Sequence, residues 1–115
     1  MLLLVAAAFA GYFLMRNRAM PQEIERQPEE QAVEETIEFV SILDKIHPDE
    51  IHVLSTERAE WSNSCLGLPM QGETCEEALV TGWKITLEAD GIKVFRTDKE
   101  GMRIRRDLAA EDKSV

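Results

Sequence analysis

The chain has few of the residues that carry most enzyme chemistry. It contains two histidines and two cysteines among 115 residues, and aromatic residues make up only 6%. It has no nucleophile elbow, phosphate-binding loop, glycine-rich dinucleotide turn or standard zinc spacing. His47 and His52 flank Pro48, which prevents them from sharing a helix face, so we interpret them as turn residues and not as metal ligands. The sequence therefore predicts a protein that is not an enzyme and that needs no cofactor or metal.

Positive charge is also scarce. Lys and Arg total 13 against 22 Asp and Glu, giving a formal net charge of −9. Nonspecific nucleic-acid binding requires Lys and Arg to replace phosphate counterions, so this composition argues against a nucleic-acid partner. The bases are concentrated in residues 91–106, where Arg103 and Arg105 alternate with other residues of a predicted strand. A solvated surface is the ordinary interpretation of such a run, and the sharper alternative is that Arg103 and Arg105 form a basic strand face for an acidic partner.

The N terminus carries an uncharged apolar run at residues 2–15. As a helix it covers about 21 Å, and extension to residue 20 gives about 30 Å, the thickness of the hydrocarbon core. We predict a transmembrane anchor over residues 1–20. A cleaved signal peptide is the alternative, although too few residues precede the Ala8-Phe9-Ala10 site. The side chains expected to contact lipid or its headgroups are Leu3, Phe9, Tyr12, Phe13, Arg16 and Arg18.

Two criteria disagree on the orientation of this anchor. Arg16 and Arg18 follow the apolar run, and the positive-inside rule would place the C-terminal domain in the cytoplasm. The cysteine pair favours an oxidising compartment instead. Because two charges make a weak bias, we give the cysteines more weight and predict that the domain is extracytoplasmic.

The next segments are a predicted linker and a predicted helix. Residues 21–32 contain two prolines and few apolar residues, which predicts an acidic linker. Apolar residues then recur at three- to four-residue spacing over 33–46, including Ile42 or Leu43. This pattern predicts an amphipathic helix that Pro48 ends.

The second half of the chain has the pattern of a sheet. Alternating apolar residues predict strands near 51–61, 78–89, 92–96 and 102–105, and Asp90-Gly91 predicts a hairpin. The predicted fold is α+β: after the transmembrane helix, one helix packs on a three- to four-stranded antiparallel sheet over residues 33–106. Residues 107–115 are predicted to be a flexible tail.

The densest group of unusual residues lies between the first two long strands, at 61–83. A Cys65–Cys75 disulfide would close a loop of about 11 residues and stabilise the domain by roughly 2.5–3 kcal/mol. Reactive thiols or independent free cysteines are the alternatives. Leu66, Leu68 and Met70 either pack beneath this loop or are displayed to a partner.

The same segment carries a resemblance to known proteins. The pattern W-x-[ND]-x-[SC]-L-G-x-P-x-x-G-x-x-[CY] is read from Trp61 to Cys75, and G-[YW]-x-[IV]-x-L from Gly82 to Leu87. The chain therefore resembles, over residues 33–106, a family of small uncharacterised bacterial extracytoplasmic domains. The resemblance implies a fold and a compartment and no chemistry. With the anchor, it predicts a single-pass protein of the bacterial inner membrane with a periplasmic domain.

Two non-catalytic functions fit this organisation. The first is an accessory subunit of a photosynthetic or respiratory membrane complex, with integral membrane subunits and lipid as partners, because a short anchor gains from protein neighbours. The second is a membrane-tethered inhibitor or ligand-binding module. A thiol oxidoreductase ranks third. The predicted partner-binding residues are Leu66, Leu68, Met70, Arg103 and Arg105.

Overall fold

The computed structural model describes residues 26–113. The predicted anchor, with Leu3, Phe9, Tyr12, Phe13, Arg16 and Arg18, lies outside the described residues, as do the first part of the predicted linker and residues 114–115. Within 26–113, no helix is both long and apolar enough to cross a membrane. The described part is α+β, with one long helix and a four-stranded antiparallel sheet in the order β1-β2-β3-β4.

The long helix, α1, spans Pro28–Asp44. It begins earlier than predicted, so the linker prediction is wrong for residues 28–32. Pro28 lies in the first turn, where its missing N–H costs no hydrogen bond, and Glu29 and Glu30 follow where the helix dipole favours negative charge. Ala32 is fully buried, so this first turn is part of the core.

The end of α1 also differs from the prediction. Lys45 adopts a left-handed conformation with φ of 53°, and the Ile46 N–H donates to the Ser41 carbonyl at 3.2 Å. This is a Schellman-type termination, which ends the helix before Pro48. Pro48 instead begins a short 3₁₀ turn, Pro48–Glu50.

The four strands confirm the predicted sheet. They are β1 (His52–Trp61), β2 (Val80–Glu88), β3 (Ile92–Asp98) and β4 (Ile104–Arg106). The predicted hairpin joins β2 to β3: Asp90 and Gly91 both have positive φ, and Glu88 pairs with Ile92.

One face of the sheet packs against α1. Ile85, Leu87 and Phe95 are buried there, and Trp83 is partly buried against the same cluster. The Phe95 ring meets the Phe39 ring of α1 edge-on, with centroids 6.0 Å apart. By contrast, Ile42 and Leu43 are 68% and 63% exposed, so the prediction that they lie on the core face of the helix is wrong.

The prediction of a flexible tail is wrong for residues 107–113. A second helix, α2, spans Leu108–Lys113 and packs on β3. Asp107 caps it by accepting the Ala110 N–H at 3.1 Å, and Glu111 accepts the Val94 N–H at 3.1 Å. The Glu111 carboxylate thus bonds the β3 amide at the point where β4 ends.

Candidate partner-binding groove

The Cys65–Cys75 disulfide is present, with Cα atoms 5.5 Å apart. Cys65 is fully buried. Glu73 lies close to both sulfur atoms, but sulfurs joined to each other are not thiolate ligands, so this cluster gives no metal site among residues 26–113. The predicted disulfide is confirmed.

Local hydrogen bonds shape the disulfide loop, residues 62–77. The Asn63 side-chain oxygen accepts the N–H groups of Cys65 and Gly67, both at 3.0 Å. Ser64 and Glu76 bond reciprocally: the Ser64 N–H donates to the Glu76 carbonyl at 2.9 Å, and the Ser64 hydroxyl accepts the Glu76 N–H at 2.8 Å. The loop is therefore an ordered structure whose two ends are held together by more than the disulfide.

Arg96 of β3 fixes this loop to the sheet. Its Nη1 donates to the Leu66 carbonyl at 2.9 Å, and its Nε donates to Asp107 at 2.9 Å. Leu66 is fully buried, so its predicted role in binding a partner is wrong. Its side chain belongs to the packing beneath the loop, which is one of the two arrangements that the sequence left open.

Arg105 binds the loop from the edge strand. Its Nη2 pairs with the Glu73 carboxylate, and its Nη1 lies 2.9 Å from the Met70 sulfur. The Met70 N–H also donates to Glu73 at 3.0 Å, and this bond is the main cause of a lowered Glu73 pKa. Burial has the next largest effect and raises this pKa, whereas Arg105 and, to a lesser degree, Arg103 lower it further. Arg105 is thus neutralised within the chain, and the prediction that it faces an acidic partner is wrong.

Arg103 is in a different position. It is exposed, and its Nη1 donates to the Ser64 carbonyl at 2.6 Å. Among the described residues, no carboxylate lies within 4.0 Å of its guanidinium. Arg103 therefore has no direct ion-pair partner among the described residues, and its predicted role stays a prediction.

A groove of about 720 Å³ runs beside β4, between the C-terminal half of α1 and the disulfide loop. Leu43 lies on the wall formed by α1 and is 63% exposed, and Met70 lies on the wall formed by the disulfide loop and is 59% exposed. Leu108, the first residue of α2, also lines the groove and is 62% exposed. Leu68 is half-buried in the loop wall. Most of the lining is apolar, and it also includes Phe39, Pro69, Ile104 and Arg106.

The structure therefore brings together only part of the predicted site. Leu68 and Met70 line the groove, whereas Leu66 lies beneath the loop. Sequence reasoning missed Leu43, Leu108 and Arg96. For Leu108 and Arg96 the sequence offers no signal, since their roles depend on how distant segments meet.

Comparisons with known proteins give a family and no activity. A family model described as a domain of unknown function, DUF8738, matches residues 33–106. The matched range contains most of α1, all four strands and the disulfide loop. No curated protein and no solved structure matches the chain.

Proposed function

The chain belongs to the DUF8738 family, and from this premise we propose that it is a non-catalytic accessory subunit of a bacterial membrane protein complex, photosynthetic or respiratory. Residues 1–20 anchor it in the inner membrane, and the domain lies on the periplasmic side. There it docks on the integral membrane subunits of the complex through the groove beside β4.

The observation that carries this proposal is the groove itself. Leu43, Met70 and Leu108 expose apolar surface around one cavity, and contiguous apolar surface on a soluble domain marks binding sites. The disulfide and the Arg105–Glu73 pair hold the loop wall in place. A pre-formed wall lowers the entropy lost on binding, as expected for a docking surface.

The chemistry of the groove supports binding over catalysis. Its charged side chains are paired within the chain: Arg106 with Glu111, Arg105 with Glu73, and Asp107 with Arg96. The hydrogen bond with Glu111 raises the pKa of Arg106, so this guanidinium holds its proton more tightly and is a poorer proton donor. Groups held in such pairs fix geometry and are poorly placed to exchange protons.

Native purification tests this proposal. The full-length chain, tagged at its C terminus, is extracted from its own membranes in mild detergent and sized with whatever co-purifies. We expect a stoichiometric assembly containing integral membrane subunits. A free monomer in the membrane fraction contradicts the accessory-subunit proposal, and recovery of the chain in the soluble fraction contradicts the anchor.

The second candidate function is a membrane-tethered inhibitor or ligand-binding module. The same groove would serve this function if it bound a soluble protein or a small molecule. The two functions separate in the same purification. An assembly that survives extraction with integral subunits supports the first, whereas a water-soluble partner recovered without any integral subunit supports the second.

A further inference from the structure

The floor of the groove is the outer edge of the sheet. β4 is the last strand, and β3 is its only neighbour among the described residues. Asp98 N–H donates to the Arg103 carbonyl at 3.2 Å, and Asp107 N–H donates to the Val94 carbonyl at 2.8 Å. These bonds fix which residues of β4 turn their backbone groups toward β3.

The alternation of an antiparallel ladder then settles the rest of β4. Arg105 of β4 and the flanking residues 103 and 107 turn their backbone groups toward β3. Ile104 and Arg106 stand opposite Thr97 and Phe95 in non-hydrogen-bonded pairs, so their N–H and C=O groups point away from the sheet. Within 26–113, no backbone hydrogen bond to these outward groups is present.

These outward groups lie between two apolar walls. Ile104 and Arg106 both line the groove, with Phe39 and Leu43 of α1 on one side. Leu68 and Met70 of the disulfide loop form the other side. A strand added to β4 alternates its side chains between the two faces of the sheet, so it would direct one set toward each wall.

From this arrangement we propose that the groove binds an extended segment of a partner polypeptide, which adds to the sheet as a fifth strand beside β4. The partner segment carries apolar side chains for the two walls and a carboxylate for Arg103. This inference rests on the proposed function, because it specifies how the domain docks on its complex.

Charge selects this occupant over a second copy of the chain. Two β4 strands paired with each other would place arginines from both copies in one short interface. Arg105 and Arg106 have carboxylate partners within their own chain, so the excess positive charge there comes from Arg103 of each copy, and like charges across strands are destabilising. Arg103, which directly precedes β4 and has no carboxylate within 4.0 Å in the described residues, instead complements an acidic side chain. Charged edges of this kind oppose self-association while still permitting a matched partner.

Arg106 provides a matched pair of variants. Proline at this position removes the outward N–H and places its ring where the added strand would lie, whereas the β3 ladder uses residues 105 and 107. Arg106→Ala removes the same guanidinium and keeps the N–H. We expect Arg106→Pro to weaken binding to the purified complex by about tenfold relative to Arg106→Ala. Equal affinities of two folded variants overturn the proposal.

Amide hydrogen exchange gives a second readout that does not depend on a variant folding. The full-length chain is compared alone and in the complex purified from native membranes. We expect exchange at the Ile104 and Arg106 amides to slow by at least about tenfold in the complex. The Arg105 amide, already bonded to β3, serves as the internal reference.

The possible results separate this inference from the proposed function. One result is that substitutions in the groove walls weaken the complex while the Ile104 and Arg106 amides exchange at an unchanged rate. In that case the groove binds something other than a strand: the fifth-strand proposal is overturned and the docking function stands. If no complex forms, both are overturned. Capture of a partner without amide protection counts against the proposal.

Discussion

The Arg96 guanidinium lies 4.6 Å from the centre of the Trp61 ring, on the face of the sheet opposite α1. The Trp61 indole N–H in turn donates to the Thr97 carbonyl at 2.8 Å. Because Arg96 also binds the Leu66 carbonyl and Asp107, it joins the end of β1, the disulfide loop and the start of α2. The position of one groove wall therefore depends on this arginine.

We expect Arg96→Ala to destabilise the domain by about 2–3 kcal/mol, because it leaves the buried Asp107 carboxylate and the Leu66 carbonyl without their partner. Arg58→Ala is the control: this exposed arginine of β1 makes no side-chain hydrogen bond or ion pair within 26–113 and should change stability by less than about 0.5 kcal/mol. Denaturant unfolding of both variants measures the difference, and equal losses would contradict the role of Arg96.

Loss of the disulfide should cost roughly 2.5–3 kcal/mol of unfolding free energy, the loop-closure entropy of the Cys65–Cys75 segment. The measurement is chemical denaturation with and without reductant. The double variant Cys65→Ala/Cys75→Ala controls for direct effects of the reductant and should not respond to it. A wild-type chain that is equally stable under both conditions would show that the bridge does not brace the fold.

Gly82 of β2 leaves no room for a side chain beside the β3 backbone. A Cβ atom built on it would lie 1.8 Å from the Thr97 carbonyl oxygen, the same oxygen that accepts the Trp61 N–H. We therefore expect Gly82→Ala to force the strands apart and to cost at least about 2 kcal/mol in thermal or chemical unfolding. Lys84→Ala, two residues along the same strand, should stay within about 0.5 kcal/mol of wild type, and a similar loss in both variants would contradict the steric argument.

Acidification should weaken the loop wall through Glu73. Its pKa in the folded state is lowered from the ordinary value of 4.5, chiefly by the Met70 N–H and then by Arg105. A lowered folded-state pKa gives stability that is complete above the unfolded-state pKa and is lost as the pH falls through the folded-state value. Below pH 4.5, wild type should therefore lose stability faster than Glu73→Gln. Parallel pH profiles of the unfolding free energy for the two proteins would contradict the stabilisation of the Glu73 carboxylate by the Met70 N–H and Arg105.

The sheet was predictable because its determinants are local. Asp90-Gly91 specifies a turn that both residues adopt with positive φ, and period-two alternation through Trp83, Ile85 and Leu87 specifies the face that meets α1. The start of α1 also has a local signal, because Pro28 followed by Glu29 and Glu30 is typical of the first turn of a helix. The linker prediction was wrong there because it took Pro28 only as a residue that interrupts secondary structure.

The groove was not predictable, because it depends on contacts between distant segments. Arg105 follows the pattern of an exposed edge arginine, yet its charge is taken up by Glu73, 32 residues earlier in the chain. Helix α2 has only six residues and is held by the capping of Asp107 and the bonds of Glu111, which no apolar periodicity reveals. Leu43 becomes a binding candidate only because the disulfide loop lies across from it.

The most direct test of the docking surface substitutes its two opposing walls. Leu43→Ser and Met70→Ser each remove exposed apolar surface from the groove, and Leu79→Ser removes it from a residue that is 77% exposed and lies outside the groove lining. The full-length variants are compared for retention of the native membrane assembly. We predict that Leu43→Ser and Met70→Ser each lower the affinity about tenfold while Leu79→Ser leaves it unchanged. Equal retention of all three variants would contradict the claim that this groove is the docking surface.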